Sequence, residues 1–142
     1  MSGPDILRDG HAMIAGMTPV LDGETYAFCS ATNGALAAEA LPLATGMFRE
    51  AEGISLILTA GDAERLGFTI DQPMARITLN VYSALDGVGL TAAVASALAG
   101  AGIACNMIAA FHHDHVFVPL AHAEEALAIL EALQRTAPPS AT

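Results

Sequence analysis

The sequence contains no lysine and no tryptophan, and its scarcity of positive charge excludes several functions. Fifteen acidic residues stand against five arginines, which gives a formal net charge of −10 at pH 7. The arginines are scattered along the chain, at Arg8, Arg49, Arg65, Arg76 and Arg135. Binding of nucleic acid or of an anionic membrane surface needs clustered cations, so we expect neither partner. The absence of lysine also excludes a phosphate-binding loop that ends in Lys-Ser/Thr.

Long apolar runs and cysteines are scarce as well, although 54% of the residues are hydrophobic. No run approaches the roughly 18 residues that suggest a membrane-spanning helix. Residues 1–9 lack a basic region followed by an apolar run, so we expect no secretory signal. The two cysteines, Cys29 and Cys105, each lie in an apolar stretch, which indicates buried thiols rather than a disulfide framework. These features predict a cytoplasmic protein.

The second half of the sequence has a regular order of helix and strand patterns. Residues 76–83 alternate, with Ile77, Leu79 and Val81 on one face of a strand. An apolar stripe at helical spacing follows, at Leu90, Val94, Leu98 and Ala101. Strands at residues 103–111 and 115–120 and a helix at residues 123–133 complete the pattern. The order is that of the ferredoxin-like fold short of one strand, which predicts an α+β protein with antiparallel sheets and helices on one face.

The first half repeats this order in weaker form. A helix is predicted at residues 4–17, strands at 24–31, 47–51 and 54–59, about one helical turn at 35–40, and a short helix at 62–66. We therefore predict two ferredoxin-like modules, at residues 1–72 and 73–136, and a disordered tail at 137–142. Neither half contains its own closing strand. The missing edge strands are shared, supplied by another chain or absent, and because exposed edges are usually covered we expect a homodimer.

Residues 77–133 resemble an ACT domain of the ACT_7 type. The motifs that carry the resemblance are Asp86-Gly87-Val88-Gly89-Leu90, Gly102-Ile103, Cys105-Asn106 and Asp114-His115-Val116-Phe117-Val118-Pro119. Residues 16–66 resemble ACT_3, formerly a domain of unknown function, DUF2241. Its carriers are Met17-Thr18-Pro19-Val20-Leu21, Tyr26-Ala27-Phe28-Cys29 and Phe48-Arg49-Glu50-Ala51-Glu52-Gly53. The resemblance implies a regulatory protein that binds a small effector, often an amino acid, where ACT modules meet.

The segment from Asp86 to Leu90 is the candidate ligand site. Glycines let a ligand approach the backbone closely, and the free N–H groups of a helix N-terminus can hold a carboxylate. Asp86 would accept from an ammonium group, or would simply cap the helix. The predicted site lines one end of the sheet and comprises Ser83, Asp86, Gly87, Val88, Gly89, Leu90, Cys105 and Asn106. Asn33-Gly34 is a weaker equivalent in the first half.

Three alternative functions compete with this interpretation. The first is an oligomerisation or protein-interaction module without a ligand. The second is metal binding by His112, His113, Asp114 and His115, but side-chain alternation leaves two ligands per face, so a solvent-exposed hairpin tip is the simpler interpretation. The third is catalysis. The sequence has no Gly-x-Ser-x-Gly elbow and no dinucleotide fingerprint, so we expect no enzyme, no metal ion and no cofactor.

Overall fold

The computed structural model describes residues 10–81 and 88–136, which contain five helices and seven strands. The helices are α1 (Gly10–Gly16), α2 (Gly34–Ala40), α3 (Ala60–Arg65), α4 (Leu90–Gly100) and α5 (Ala123–Thr136). The strands are β1 (Pro19–Leu21), β2 (Tyr26–Ala31), β3 (Gly46–Glu50), β4 (Gly53–Thr59), β5 (Met74–Leu79), β6 (Asn106–Ala109) and β7 (Asp114–Pro119). Single 3-10 turns follow α2 and precede α5. The α+β class and the antiparallel pairing predicted from the sequence are confirmed.

The chain divides into two compact units that are not consecutive halves. One unit is Gly23–Ala75, and the other combines Met1–Asp22 with Arg76–Thr142. The division falls inside β5, whose first residues belong to one unit and whose last residues belong to the other. The predicted boundary between residues 72 and 73 divides the sequence into consecutive modules, whereas the packing units combine segments from both ends of the chain. That boundary therefore remains a prediction.

The unit Gly23–Ala75 is built on strands in the order β3, β4, β2, with Met74 of β5 paired to Tyr26. Alternate residues of β2 and β4 point into its core, which is made of small side chains and leucines: Ala27, Cys29, Ala31, Leu56 and Leu58, together with Ala37 and Ala40 of α2 and Ala63 of α3. The β3–β4 hairpin ends at Gly53, which has a φ of +154°. A Cβ atom at Gly53 would lie 2.9 Å from the carbonyl oxygen of Ala31 in the neighbouring strand β2, so the close approach of β4 to β2 at this position requires glycine.

The second unit has the strand order β1, β5, β7, β6. Its core is formed by alternate strand residues under three helices: Ile77, Leu79, Val116 and Val118 from the sheet, Leu90, Val94 and Leu98 from α4, Ala126 and Leu130 from α5, and Met13 and Met17 at α1. The prediction that Ile77, Leu79 and Val81 share one buried face is confirmed, since all three are at most 3% exposed. The α4 and α5 helices begin and end close to their predicted bounds because their apolar stripes are continuous.

The strands that seemed to be missing are present in this chain. In the second unit β1 occupies the closing position, with Val20 opposite Thr78 and Leu21 opposite Ile77. In the first unit the start of β5 takes that place. The sequence pattern predicted no strand at Pro19–Leu21, because a three-residue edge strand has too few alternations to be distinguished, and proline is tolerated at its first position. The closing strands therefore give no reason to invoke a second chain.

Smaller differences concern element lengths and burial. Residues 4–9 of the predicted first helix and the predicted tail at 137–142 lie outside the described residues. The single turn predicted at 35–40 is a seven-residue helix, capped by Asn33 and continued by the 3-10 turn. Cys29 is buried as expected, whereas Cys105 is only half-buried. Both thiols are free.

Candidate functional site

The N-terminus of α4 is the part of the predicted ligand site that the structure describes. Gly89 is the N-cap, with φ +111° and ψ −26°, a left-handed conformation that glycine adopts readily. No side chain of the N-cap accepts from the first-turn N–H groups, and the first turn carries no acidic residue. Val88, just before the cap, is 79% exposed. The N-cap residue itself therefore does not cap the first-turn N–H groups, and the positive end of the helix dipole favours negative charge at this position.

Leu90 has a different role from its glycine neighbour. It is 3% exposed and packs in the core with Val94 and Leu98 one and two turns further along α4. This burial positions the helix start without giving the side chain access to solvent. Ser83, Asp86 and Gly87 lie outside the described residues, so their roles in capping or ligand binding remain predictions.

Cys105 and Asn106 do not lie at this end of the module. The Thr78 hydroxyl is 3.0 Å from Nδ1 of His115, so the end of β5 is beside the beginning of β7. Asn106, the first residue of β6, pairs instead with Phe117, further along β7. Helix α4 thus begins at one end of the sheet and ends at the other, where β6 starts. The expectation that both groups line the same end was wrong, because the helix crosses the module between them.

The local contacts of Asn106 and Cys105 are structural. The Asn106 amide donates to the carbonyl oxygen of Phe117 at 3.3 Å, which reinforces the β6–β7 pair. Burial raises the pKa of the Cys105 thiol above its ordinary value, so the thiol form is favoured. The weaker candidate Asn33 is also occupied locally, since its side chain accepts from the N–H of Ala35 at 2.8 Å as a helix cap.

The histidine hairpin does not assemble a metal site. Among residues 10–81 and 88–136, no group of three or more His, Cys, Asp or Glu side chains is arranged to hold a metal ion. The His112 ring stacks edge-on against Phe111, with ring centroids 5.1 Å apart, at an exposed tip. His115 lies on the sheet and contacts Thr78. These placements leave the metal hypothesis without geometric support.

A polar cluster around Arg76 was not identified from the sequence. Both Nε and one Nη of Arg76 donate to Oδ2 of Asp22 at 2.8 Å, and the Asp22 N–H donates to the Arg76 carbonyl oxygen. His115 is nearby, and its pKa is lowered by burial first and then by the positive charge of Arg76 and by His113, against opposing effects of Asp114 and Asp22. Arg76 and Asp22 are 54 positions apart, so only knowledge of the β1–β5 pairing would have found them.

The chain has relatives among known protein families and solved structures. Two ACT-domain models match in tandem, ACT_3 at residues 8–75 and ACT_7 at residues 75–132. A Vibrio cholerae protein of unknown function, described as a possible transport protein, is 37% identical over 87% of this chain and 94% of its own, with a TM-score of 0.77. No curated protein matches the sequence significantly.

Two more distant structures share the fold. The regulatory subunit of aspartate kinase from Thermus thermophilus, in its ligand-free form, is 12% identical over 83% of this chain and 97% of its own, with a TM-score of 0.61. An Agobacterium tumefaciens protein is 20% identical over 78% of this chain and 81% of its own, with a TM-score of 0.56. At these identities the likeness concerns the arrangement of strands and helices. Within the described ranges, none of the helices is long and apolar enough to span a membrane.

Proposed function

Since the chain belongs to the ACT-domain family, as the tandem of ACT_3 and ACT_7 modules that its sequence predicted, we propose that it is a non-catalytic regulatory protein that binds a small molecule. The solved structure of an aspartate kinase regulatory subunit supports this role, because it places the same fold in a regulatory setting. The two free cysteines accord with a reducing compartment, and we place the protein in the cytoplasm.

The ligand that we propose is an amino acid or a related metabolite with a carboxylate group. The observation that carries this proposal is the start of α4, where the N-cap is Gly89, which has no side chain to accept from the first-turn N–H groups, and where the first turn of the helix has no acidic residue. A carboxylate at this position would accept from those N–H groups and would be favoured by the helix dipole. The missing Cβ of Gly89 allows the ligand to approach the backbone.

Six of the eight predicted residues keep a role in this proposal. Val88 and Gly89 border the carboxylate, while Leu90 anchors the helix from the core side. The preceding segment, with Ser83, Asp86 and Gly87, would supply an acceptor for the ammonium group of an amino acid. Cys105 and Asn106 are omitted from the proposed site, because β6 begins at the opposite end of the sheet from the start of α4.

A thermal-shift screen against the twenty amino acids and related carboxylates tests the proposal. Binding to the native state alone stabilises it by about 2.7 kcal/mol when the ligand is present at about 100 times its dissociation constant. For a chain of this size that corresponds to a rise in Tm of roughly 5–10 °C. A selective rise supports a ligand-binding regulator. If no amino acid or carboxylate shifts the melting curve, the proposed ligand class is wrong.

Val88 permits a matched pair of variants that locates the site. Its side chain is 79% exposed, so Val88→Asp and Val88→Asn should both fold. Aspartate would place a negative charge beside the bound carboxylate, and at about 4–6 Å this repulsion costs about 1 kcal/mol or more, close to a tenfold loss of affinity. Asparagine has the same shape without the charge and should bind nearly as the native chain does. Equal affinities of the two variants would place the carboxylate elsewhere.

A further inference from the structure

The sheet of the unit Gly23–Ala75 has phenylalanine side chains on the side that faces away from the core. The core-facing residues of β2 are small: Ala27, Cys29 and Ala31. Phe28 alternates with them, so it points to the opposite, outer side, where it is 47% exposed. An antiparallel sheet with one covered side normally has polar residues on its solvent side. The pattern of β2 is therefore the reverse of that expected for a sheet whose outer side meets only water.

Strands β4 and β3 extend this apolar surface across the outer side of the sheet. Ile57 of β4 lies directly opposite Phe28 of β2. Phe48 of β3 is the diagonal neighbour of Ile57 and is 72% exposed. Gly46, which lies opposite Ile57 on β3, has no side chain that would interrupt the surface. Phe28, Ile57 and Phe48 therefore form a continuous line across three strands, called here the apolar diagonal.

The length of the apolar diagonal follows from the geometry of a sheet. Strand β4 lies between β2 and β3, so Phe28 and Phe48 are separated by two strand spacings, about 10 Å. Their offset of two residues along the strands adds roughly 7 Å in the perpendicular direction, so the two positions are about 12 Å apart. Two turns of an α-helix span about 11 Å. A helix with apolar residues at i, i+3 or i+4, and i+7 therefore matches the three side chains.

The charged side chain on this side of the sheet, beside the apolar diagonal, is acidic. Glu50 lies on the outer side of β3, and its carboxylate accepts from the hydroxyl of Ser55 on β4. The arginines of the unit are directed elsewhere. Arg49 points to the other side of β3, because neighbouring strand residues alternate, and Arg65 forms an ion pair within α3.

We propose that the apolar diagonal binds an amphipathic α-helix of a partner protein, one that has arginine or lysine next to its apolar stripe. The stripe would cover the apolar diagonal, and a basic residue would reach the carboxylate of Glu50. The occupant is chosen by charge, because a basic helix is attracted both by Glu50 and by the net charge of −10 on the whole chain. The exposed ring faces of Phe28 and Phe48 also attract a guanidinium or ammonium group.

A second copy of this chain is a poorer occupant of the apolar diagonal. It would bring a second Glu50 against the first, and two chains with a net charge of −10 each would repel one another. The proposal gives the regulatory protein a surface for contact with another protein. It does not depend on the proposed carboxylate site, since Gly89 belongs to the other packing unit.

Fluorescence anisotropy with a labelled model peptide and the ligand-free protein tests the proposal. The probe is a peptide of about 18 residues, made of leucine, alanine and arginine, with its leucines in one helical stripe. Phe28→Thr and Phe48→Thr should each raise its dissociation constant by about tenfold or more, because each removes an apolar anchor from the contact. Both positions are exposed and threonine favours strands, so both variants should fold. Glu50→Gln should weaken binding by about threefold at low salt, and the difference should disappear at high salt.

Two controls separate the proposed contact from general attraction of a cationic peptide to an acidic protein. Met47 is next to Phe48 on β3 and 41% exposed, but it points to the other side of the sheet. Met47→Thr should therefore leave the dissociation constant unchanged within about twofold. A peptide of the same composition, with its leucines scattered around the helix, should bind about tenfold more weakly than the probe.

The proposal is overturned if the native chain does not bind the probe, or if Phe28→Thr and Phe48→Thr bind it as the native chain does. Equal weakening by Met47→Thr, or equal binding of the scattered peptide, would also overturn it. Sedimentation velocity covers the remaining occupant, because a native dimer that Phe48→Thr dissociates would assign the apolar diagonal to a second copy of this chain. Since none of these measurements includes an amino acid, their failure is distinct from failure of the ligand proposal.

Discussion

The replacement of Met17 by alanine tests the role of the N-terminal segment in closing the second unit. Met17 is 0% exposed, in the short connection from α1 to β1. Thr18, the next residue, has a φ of +30°, and the side chain of Gln134 in α5 donates to the Ala15 carbonyl oxygen at 3.0 Å. The segment is thus fixed by packing and by a hydrogen bond to a helix more than one hundred positions away.

The expected cost follows from the buried volume that alanine leaves empty. Truncation of a fully buried methionine to alanine destabilises a protein by about 2–5 kcal/mol, through lost transfer energy and a residual cavity. At about 3 °C per kcal/mol for a chain of this length, the Tm should fall by roughly 6–15 °C. The loss is a large part of a typical unfolding free energy of about 5–15 kcal/mol.

Urea denaturation measures how much unfolding free energy Met17→Ala loses, and hydrogen exchange shows which part of the chain is destabilised. The amides of β6, β7 and α5 should exchange faster in Met17→Ala, since they belong to the unit that Met17 helps to close. Val20→Ala is the matched control, because Val20 lies on β1 but is 44% exposed and should cost less than about 1 kcal/mol. A cost below about 1 kcal/mol for Met17→Ala, or faster exchange confined to Gly23–Ala75, would refute the assignment.

Three further changes probe individual contacts. Asp22→Asn should lower the unfolding free energy by about 1 kcal/mol, because the bond between Asp22 and Arg76 is charge-assisted but each side chain keeps about a quarter of its surface in water. Urea titrations would contradict this if Asp22→Asn cost about zero unfolding free energy both in the native chain and in an Arg76→Leu background. His115 has a lowered pKa in the folded state, so the unfolded chain takes up more protons and stability should fall as the pH drops below about 6.5; His115→Gln should flatten that part of the stability profile, and an unchanged profile would exclude His115 as its cause. Gly53→Ala should destabilise by about 1–3 kcal/mol, because its Cβ would meet the Ala31 carbonyl oxygen; an unchanged melting temperature would show that the hairpin relaxes freely.

The parts of the fold that could be predicted are those specified by local periodicity. The stripe of Leu90, Val94 and Leu98 predicts a helix and its buried side together, and all three residues are buried. The turn before Gly53 separates the strands predicted at residues 47–51 and 54–59, and an antiparallel hairpin forms there. Each of these signals lies within about one dozen residues of sequence, so no knowledge of the remaining chain was needed.

The parts that could not be predicted depend on which distant segments pair. Strand β1 has three residues, and its identity as a strand comes from its pairing with β5, more than fifty positions later. The Asp22–Arg76 ion pair follows from that pairing and has no local signal. The error over Asn106 has a related origin, since the direction in which α4 crosses the module decides which end of the sheet β6 begins at. The positions of polar residues near glycines in the sequence do not reveal the direction in which α4 crosses the module.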